Sequence, residues 1–230
     1  MTHRHPDRGP VGRLLAAGTD LVLPVSCGGC GAPGHRWCPR CAARLADAPI
    51  RLRPRVTVGA DVWALGRYRG PLRNGILALK EHGRRDLITP FGLALARMLV
   101  VLARWGEIPD APTLGLVPAP TRRLAARRRG GDPVTAMTEV VATTIGPRLR
   151  VTPLLFSAPA ARDSAGLNAR DRSNNLRGRI AVASVRAPPT DALTILVDDV
   201  LTTGATAAES VRVLRRHGIA VRAVVVLAAA

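Results

Sequence analysis

The sequence predicts an α/β fold, a mostly parallel sheet flanked by helices, with a small cysteine-containing module ahead of it. Three observations carry this expectation. From about residue 56 onward, short β-branched and aliphatic runs alternate with longer amphipathic ones, the pattern of strands exchanging with helices. Ile195, Leu196 and Val197 form an apolar run without polar alternation, as in a strand buried on both faces, and it ends in Asp198 and Asp199. Four cysteines, Cys27, Cys30, Cys38 and Cys41, form two C-x-x-C pairs near the amino end and use every cysteine of the chain. With 230 residues the chain can bury a substantial core. The expected organisation is a tail and short helix over 1–20, the cysteine module over 21–48 and the α/β domain over 56–230.

In chain order, residues 1–10 are polar with two prolines and read as a disordered tail, in which His3 and His5 are incidental. Short helices are expected over 11–17 and 41–47, on either side of the knuckles, and 49–54 reads as a linker between two prolines. Residues 56–68 carry β-type side chains. The turn at Gly70-Pro71 leads into a helix reaching about His82. Asp86 and Pro90 mark the start of a strongly apolar helix over about 87–105, whose core face is assigned to Leu93, Ala96, Leu99 and Val100. A buried strand follows over 113–117. Asp132-Pro133 opens a helix to about Ile145, because an aspartate can cap the free N–H groups that a proline at the first turn does not need. Further strands are expected over 149–156 and 180–185. The last helix ends near His217 with Gly218 as its C-terminal cap, and 219–227 supplies a final strand.

The two cysteine pairs are separated by seven residues. Knuckles of this spacing deliver four thiolates tetrahedrally to Zn²⁺, and their glycines permit the tight turns that aim both sulfurs inward. A closed structural zinc site is the expectation. Disulfides are the alternative, disfavoured because no signal peptide is visible and the pairs are so close. A redox pair would require a βαβ context that neither has. His35, between the knuckles, reads as a solvated loop residue because four sulfurs already complete the shell.

The thirteen residues 194–206 concentrate the chemistry: an apolar strand, two carboxylates, then Leu201, Thr202, Thr203, Gly204, Ala205 and Thr206 before an amphipathic helix. Open α/β sheets place ligands at the carboxyl ends of their strands, and a helix amino end offers unpaired N–H groups and partial positive charge to an anion. Two acids there can grip neighbouring hydroxyls, and the turn can hold a phosphate, with Gly204 letting the backbone approach the ligand. A phosphorylated sugar is the expected guest. The alternative is a strand capped by solvated acids, disfavoured because adjacent buried acids are costly without a partner.

Lys and Arg total 34 against 16 Asp and Glu, a formal charge of +18, which favours polyanionic partners. Lys80 is the only lysine, so a bias toward arginine codons accounts for part of the excess. Aromatic residues make up only 3%, leaving few platforms for stacking bases, so electrostatic attraction to DNA is expected without sequence readout. Five arginines crowd residues 118–130, a loop expected at the ligand edge, where they suit pyrophosphate or equally a solvated or DNA-facing run. A second basic segment, 162–179, holds Arg170, Arg172, Asn175 and Arg177 and is too polar for core. No run of eighteen uncharged apolar residues occurs, so no membrane span is expected, and a cytoplasmic location follows.

The segment 194–206 resembles the loop by which type I phosphoribosyltransferases bind phosphoribosyl pyrophosphate (PRPP). With the cysteine knuckles, Tyr68-Arg-Gly-Pro-Leu-Arg73, Leu79-Lys-Glu-His-Gly83, Val117-Pro-Ala-Pro-Thr-Arg-Arg123, Arg129-Gly130, Gly166-Leu167 and Arg172-Ser-Asn-Asn-Leu-Arg177, the chain is similar to the ComF family of competence-associated, phosphoribosyltransferase-like proteins over nearly all of residues 20–228. The resemblance implies that Asp198 and Asp199 hold the ribose hydroxyls, that 201–206 holds the 5-phosphate, and that Ala119, Pro120, Thr121, Arg122 and Arg123 form the pyrophosphate loop. It also implies a mobile loop over 162–179, with Arg172 in a catalytic role beside Lys80 and the two aspartates, and Mg²⁺ entering with PRPP. Lys80 equally suits an exposed helix end. Two departures touch the acceptor end of such a site: Gly131-Asp132 replaces an expected Phe-Asn, and Asp163 stands where a glutamine is expected ahead of Gly166-Leu167.

The expected reaction is Mg²⁺-assisted displacement of pyrophosphate from PRPP by a nitrogen nucleophile. Two alternatives stand beside it: a non-enzymatic accessory of DNA uptake that binds single-stranded DNA or a competence helicase, and a regulator that senses PRPP without consuming it.

Overall fold

The computed structural model describes residues 25–120, 131–157, 180–183 and 193–230. A short helix, α1 (Pro39–Arg44), closes the cysteine segment. Strand β1 (Ile50–Leu52) pairs antiparallel with β2 (Asp61–Arg67), which leads into α2 (Gly70–Glu81), a single 3₁₀ turn over Arg85–Leu87, and the long helix α3 (Ile88–Arg104). Then come β3 (Leu114–Pro118), α4 (Pro133–Ile145), β4 (Leu149–Val151), β5 (Leu155–Ser157), β6 (Ile180–Val182), β7 (Leu193–Leu201), α5 (Ala205–Arg216) and β8 (Val221–Ala229).

Six strands form one sheet in the order β1-β2-β8-β7-β3-β4, parallel except at β1, and β5 pairs antiparallel with β6 as a separate ribbon. Strand alternation sends successive side chains to opposite faces. Leu116, Ile195 and Val225 join the helices α2, α3 and α4 in one core, whereas Val117, Leu196 and Val224 join α5 and the ribbon in the other. The central strands are therefore covered on both sides, which is why they read as unbroken apolar runs. From β3 the chain moves outward to β4, whereas from β7 it moves the opposite way to β8. The crevice between the carboxyl ends of β3 and β7 is thus the topological switch point, where open sheets of this kind receive ligands.

Several expectations need correction. Residues 49–54 do not form a linker: Ile50–Leu52 is an edge strand whose short length and Arg51 suit an edge. The expected strand over 149–156 is two strands in different sheets, broken around Pro153, which cannot donate to a ladder. The expected core face of α3 holds for Ala96 and Leu99, which are buried in the main core, but not for Leu93 and Val100. The buried stripe runs through Phe91, Leu95, Met98 and Leu102, with Ala96 and Leu99 beside them, whereas Leu93 and Val100, half a turn away, are 46% and 40% exposed. The residues from Arg85 to Arg104 are long and apolar enough to cross a membrane by composition, despite Arg97, but the apolar stripe of this helix packs inside the core.

The helix starting at Asp132-Pro133 forms as expected, with Asp132 Oδ1 accepting from Val134 N at 3.1 Å and Oδ2 from Thr135 Oγ1 at 2.6 Å. Gly218 adopts φ 76° just beyond α5, the left-handed conformation of a C-terminal cap. The tail over 1–10, the helix expected over 11–17, and the basic stretches 121–130 and 162–179 lie outside the described residues.

Helices α3 and α4 approach closely enough that a Cβ on Gly92 would sit 2.6 Å from Val140 Cβ and 2.9 Å from the Met137 carbonyl oxygen. Gly92→Ala is expected to lower the unfolding free energy by about 1–3 kcal/mol, and Leu93→Ala to change it by less than about 0.5 kcal/mol; chemical denaturation measures both.

Candidate functional site

Strand β7 does not stop at Val197. It continues through the two aspartates to Leu201, with Asp198 opposite Val226 and Leu201 opposite Ala229, so the acids lie in the latter half of the strand, where it still pairs with β8 but has run past its last β3 partner at Val197. On the β3 side Pro118 is opposite Val197, and Ala119 N donates to Val197 O at 2.7 Å. That bond brings Ala119 and Pro120 beside Asp198. The Ala119 side chain is core and its N–H is spent in the sheet, and Pro120 has no N–H, so only their carbonyls face outward chemistry. Thr121, Arg122, Arg123 and Arg172 lie outside the described residues.

Asp199 is buried and its Oδ2 lies 2.7 Å from Lys80 Nζ, near the end of α2. An ion pair in such a place is costly to break, because the remaining charge would be left buried alone. Of the two readings open for Lys80, an exposed cation at a helix end or a site residue, the geometry brings the side chain to the acidic pair. Asp198 is half-buried and accepts the Asp199 N–H at 2.8 Å. Burial, then the neighbouring charge of Asp199, push its carboxyl up to about 8; the Asp199 N–H and Lys80 oppose this, and Asp132 adds to it. Asp132 is thus a third acid near the pair, one that the sequence marks as a helix cap and as a departure at the acceptor end, but not as a neighbour of the two aspartates. Its position directly after the β3 loop, at the same sheet edge, was the available signal.

Beyond β7 the turn reaches α5. Thr202 is exposed, Thr203 and Thr206 are half-buried, and Leu201 and Ala205 are buried. Ala205 N donates to Thr203 Oγ1 at 3.3 Å, so the hydroxyl next to the helix caps the backbone. Gly204 has φ 87°, which favours glycine, and its open side faces the segment around Pro54. A Cβ there would lie 2.9 Å from Pro54 Cβ and 3.4 Å from the Val56 carbonyl oxygen, and Val56 N donates to Thr203 O at 3.1 Å. The segment 54–58 straps one side of the turn, and the glycine accommodates that strap. Thr202, Thr203 and Thr206 keep the other side accessible.

The four cysteine sulfurs lie within 4.8 Å of one another, and Cys30 Sγ is 3.6 Å from Cys38 Sγ. A tetrahedron with metal to sulfur bonds of about 2.3 Å has edges of about 3.8 Å, so the spacing fits one zinc-sized ion. All four are free thiols, which excludes the disulfide alternative in this arrangement. Burial works against ionisation of Cys27, but backbone N–H groups from Cys38, Cys30 and Gly29 outweigh it and bring this thiol down to about 6. Cys41 is pushed far up, by burial and then by hydrogen bonding with the other three sulfurs. Four thiolates cannot coexist here without a cation, and a structural metal such as zinc meets that requirement.

This cysteine module packs directly on the main fold. Trp37 lies edge-on to Phe91 with ring centroids 5.2 Å apart, Asn74 Nδ2 donates to Gly29 O at 3.0 Å, and Arg84 Nη2 donates to Ser26 O at 2.9 Å.

Comparison with protein-family models and with curated proteins gave no match for this chain. It is an α/β protein with a mostly parallel six-stranded sheet and an N-terminal four-cysteine cluster able to bind a structural metal such as zinc.

Because folded Asp198 holds its proton more tightly than the unfolded chain does, ionisation costs stability as pH rises from the ordinary carboxyl range to about 8. Asp198→Asn removes that cost. Urea unfolding is expected to find the variant more stable than wild type at pH 9, by about 1–3 kcal/mol after discounting for partial exposure, with the advantage vanishing toward pH 4. For the cysteines, purified protein is expected to carry about one zinc per chain by atomic absorption, and Cys41→Ser to lose most of it.

Proposed function

We propose that the chain is a phosphoribosyltransferase-like protein that binds PRPP at the β7 edge and transfers its phosphoribosyl group to a nitrogen acceptor. One observation carries this reading: the acidic pair, the hydroxyl-rich turn before α5 and the end of β3 meet at the switch point of the sheet, with the only lysine drawn to the acids. Asp198 and Asp199 would accept hydrogen bonds from the two ribose hydroxyls. Thr202, Thr203 and Thr206, with the amino end of α5, would hold the 5-phosphate.

In the proposed step, the nitrogen lone pair forms a bond to the anomeric carbon while the bond to the pyrophosphate oxygen breaks, its electron pair leaving with pyrophosphate. Positive charge develops on the sugar and negative charge on the leaving group. The Asp199 carboxylate would face the first, joined by Asp198 when it is ionised, and Lys80 the second, and preorganised charges of this kind contribute several kcal/mol to a transition state. Lys80 would exchange part of its hold on Asp199 for the pyrophosphate. Mg²⁺ would be held by one or two of these carboxylates through waters and by the ligand phosphate. Mg²⁺ would supply charge neutralisation on the leaving pyrophosphate.

The formal charge of +18 supports a second reading, in which the protein also binds single-stranded DNA or a helicase partner during DNA uptake. That reading predicts affinity that falls steeply with salt and survives loss of both aspartates.

Calorimetric titration with PRPP and Mg²⁺ tests the primary reading. Wild type is expected to bind, and Asp198→Asn with Asp199→Asn to weaken binding by at least about tenfold, the scale of losing hydrogen bonds to charged acceptors. Pyrophosphate release in the presence of candidate bases then tests transfer. Equal affinity in wild type and variant would remove the acids from the site.

A further inference from the structure

The cysteine module touches the same helix that carries Lys80. Gly75, on α2, has no Cβ because one would lie 2.7 Å from Trp37 Cζ3 and 2.8 Å from Phe91 Cζ. Trp37 in turn covers Gly29, where a Cβ would lie 2.9 Å from both the Trp37 ring and Cys41 Sγ. Next to this wedge, the side chain of Asn74 bonds to the Gly29 carbonyl of the first knuckle. From Gly75 to Lys80 is five residues, about 7.5 Å along the helix axis. One face of α2 is thus keyed to the metal-binding knuckles, and its last turn ends in the Lys80 to Asp199 ion pair at 2.7 Å.

Helix α2 is also held by Ile76 and Leu79, which are buried in the core. Apolar burial is non-directional, so it sets how deeply the helix sits but not its position along its axis. The ring wedged against a glycine and the Asn74 hydrogen bond supply that missing constraint. Among the described residues Trp37 Nε1 is buried without a hydrogen-bond partner, an arrangement that costs stability, so among them shape rather than polar pairing accounts for an indole at this place. The knuckles cannot hold the wedge by themselves. Among the described residues their own cluster contains Cys27, Cys38 and Cys41 with Ala32 and Trp37 against it, and a core of that size depends on metal.

The geometry points to Trp37 and Asn74 as positioning residues that act through α2: the four-thiolate metal fixes the wedge, the wedge fixes the helix, and the helix holds Lys80 on Asp199. Metal occupancy thereby sets how well the β7 edge receives a pyrophosphate-bearing ligand. This last consequence rests on the reading proposed above; the coupling itself does not.

Lys80 is the only lysine, so an amine-reactive ester followed by peptide mapping reads its ammonium apart from the chain's α-amine. The experiment labels full-length, metal-loaded protein as wild type, Trp37→Ala, Asn74→Ala and Asp199→Asn, with wild type also treated with a chelator. Asp199→Asn defines the rate for a released lysine. Trp37→Ala and chelation are expected to raise the Lys80 labelling rate by about fivefold or more, and Asn74→Ala by a smaller factor, while Trp37→Ala retains its zinc. PRPP affinity should fall in Trp37→Ala and in Lys80→Met, and fall no further when the two are combined, a non-additivity that general loosening of the fold would not produce. Unchanged labelling in Trp37→Ala and after chelation, with a raised rate in Asp199→Asn, overturns the proposal. So does a rate that Asp199→Asn itself leaves unchanged. If Trp37→Ala or the chelated protein loses its near-ultraviolet circular dichroism, Asn74→Ala decides: a raised rate supports the coupling and an unchanged one overturns it. Absence of PRPP binding in every form would instead count against the proposed function, and the labelling result would still decide the coupling.

Discussion

The carboxylate of Asp199, buried near the end of an interior strand and paired with Lys80, is the interaction on which the rest of this structure turns. Two adjacent acids in such a position repel one another and lose hydration, and the raised affinity of Asp198 for its proton is the direct result. A fold bears such a cost where a partner recovers it. Here Lys80 recovers part of it, and Asp198 is left as the group that a ligand hydroxyl or a hydrated cation would relieve. The acids lie at the switch point between β3 and β7, the place where open sheets of this kind receive ligands.

The cysteine module adds a different kind of constraint. Its thiols take the place of a hydrophobic core in a segment too small to have one, and its tryptophan projects onto α2 and α3. Three glycines record the closeness of that packing: Gly28 against Leu87, Gly29 against Trp37, and Gly75 against Trp37 and Phe91. The same helix therefore faces the metal cluster at one point and the acidic edge at another. Local metal chemistry and distant site geometry share a rigid element.

Much of this was legible in the sequence because the signals are local. Apolar runs of strand length mark β3, β7 and β8, Asp132-Pro133 marks the start of α4, and the cysteine spacing marks the metal cluster. What was missed depends on contacts far apart in the chain. Nothing near Ile50 says that it pairs with Ala64, so an edge strand looked like a linker. Leu93 and Val100 are as apolar as the residues that α3 buries, and hydrophobicity without a partner cannot set the phase of so apolar a helix. Gly204 was correctly marked as special, but the reason is the strap at Pro54 and Val56, some 150 residues away in sequence. Lys80 could be a surface cation or a site residue until the fold brought it to Asp199.

In the proposed function, the β7 acids and the turn before α5 together hold a sugar phosphate. Phosphorus NMR of PRPP tests it most directly, because the 5-phosphate and the two pyrophosphate phosphorus atoms resonate separately. With Mg²⁺ and stoichiometric protein, the 5-phosphate resonance should shift or broaden, and Thr203→Val with Thr206→Val should abolish that change while the fold is retained. Resonances that remain those of free PRPP at equal concentrations of protein and ligand would contradict the account.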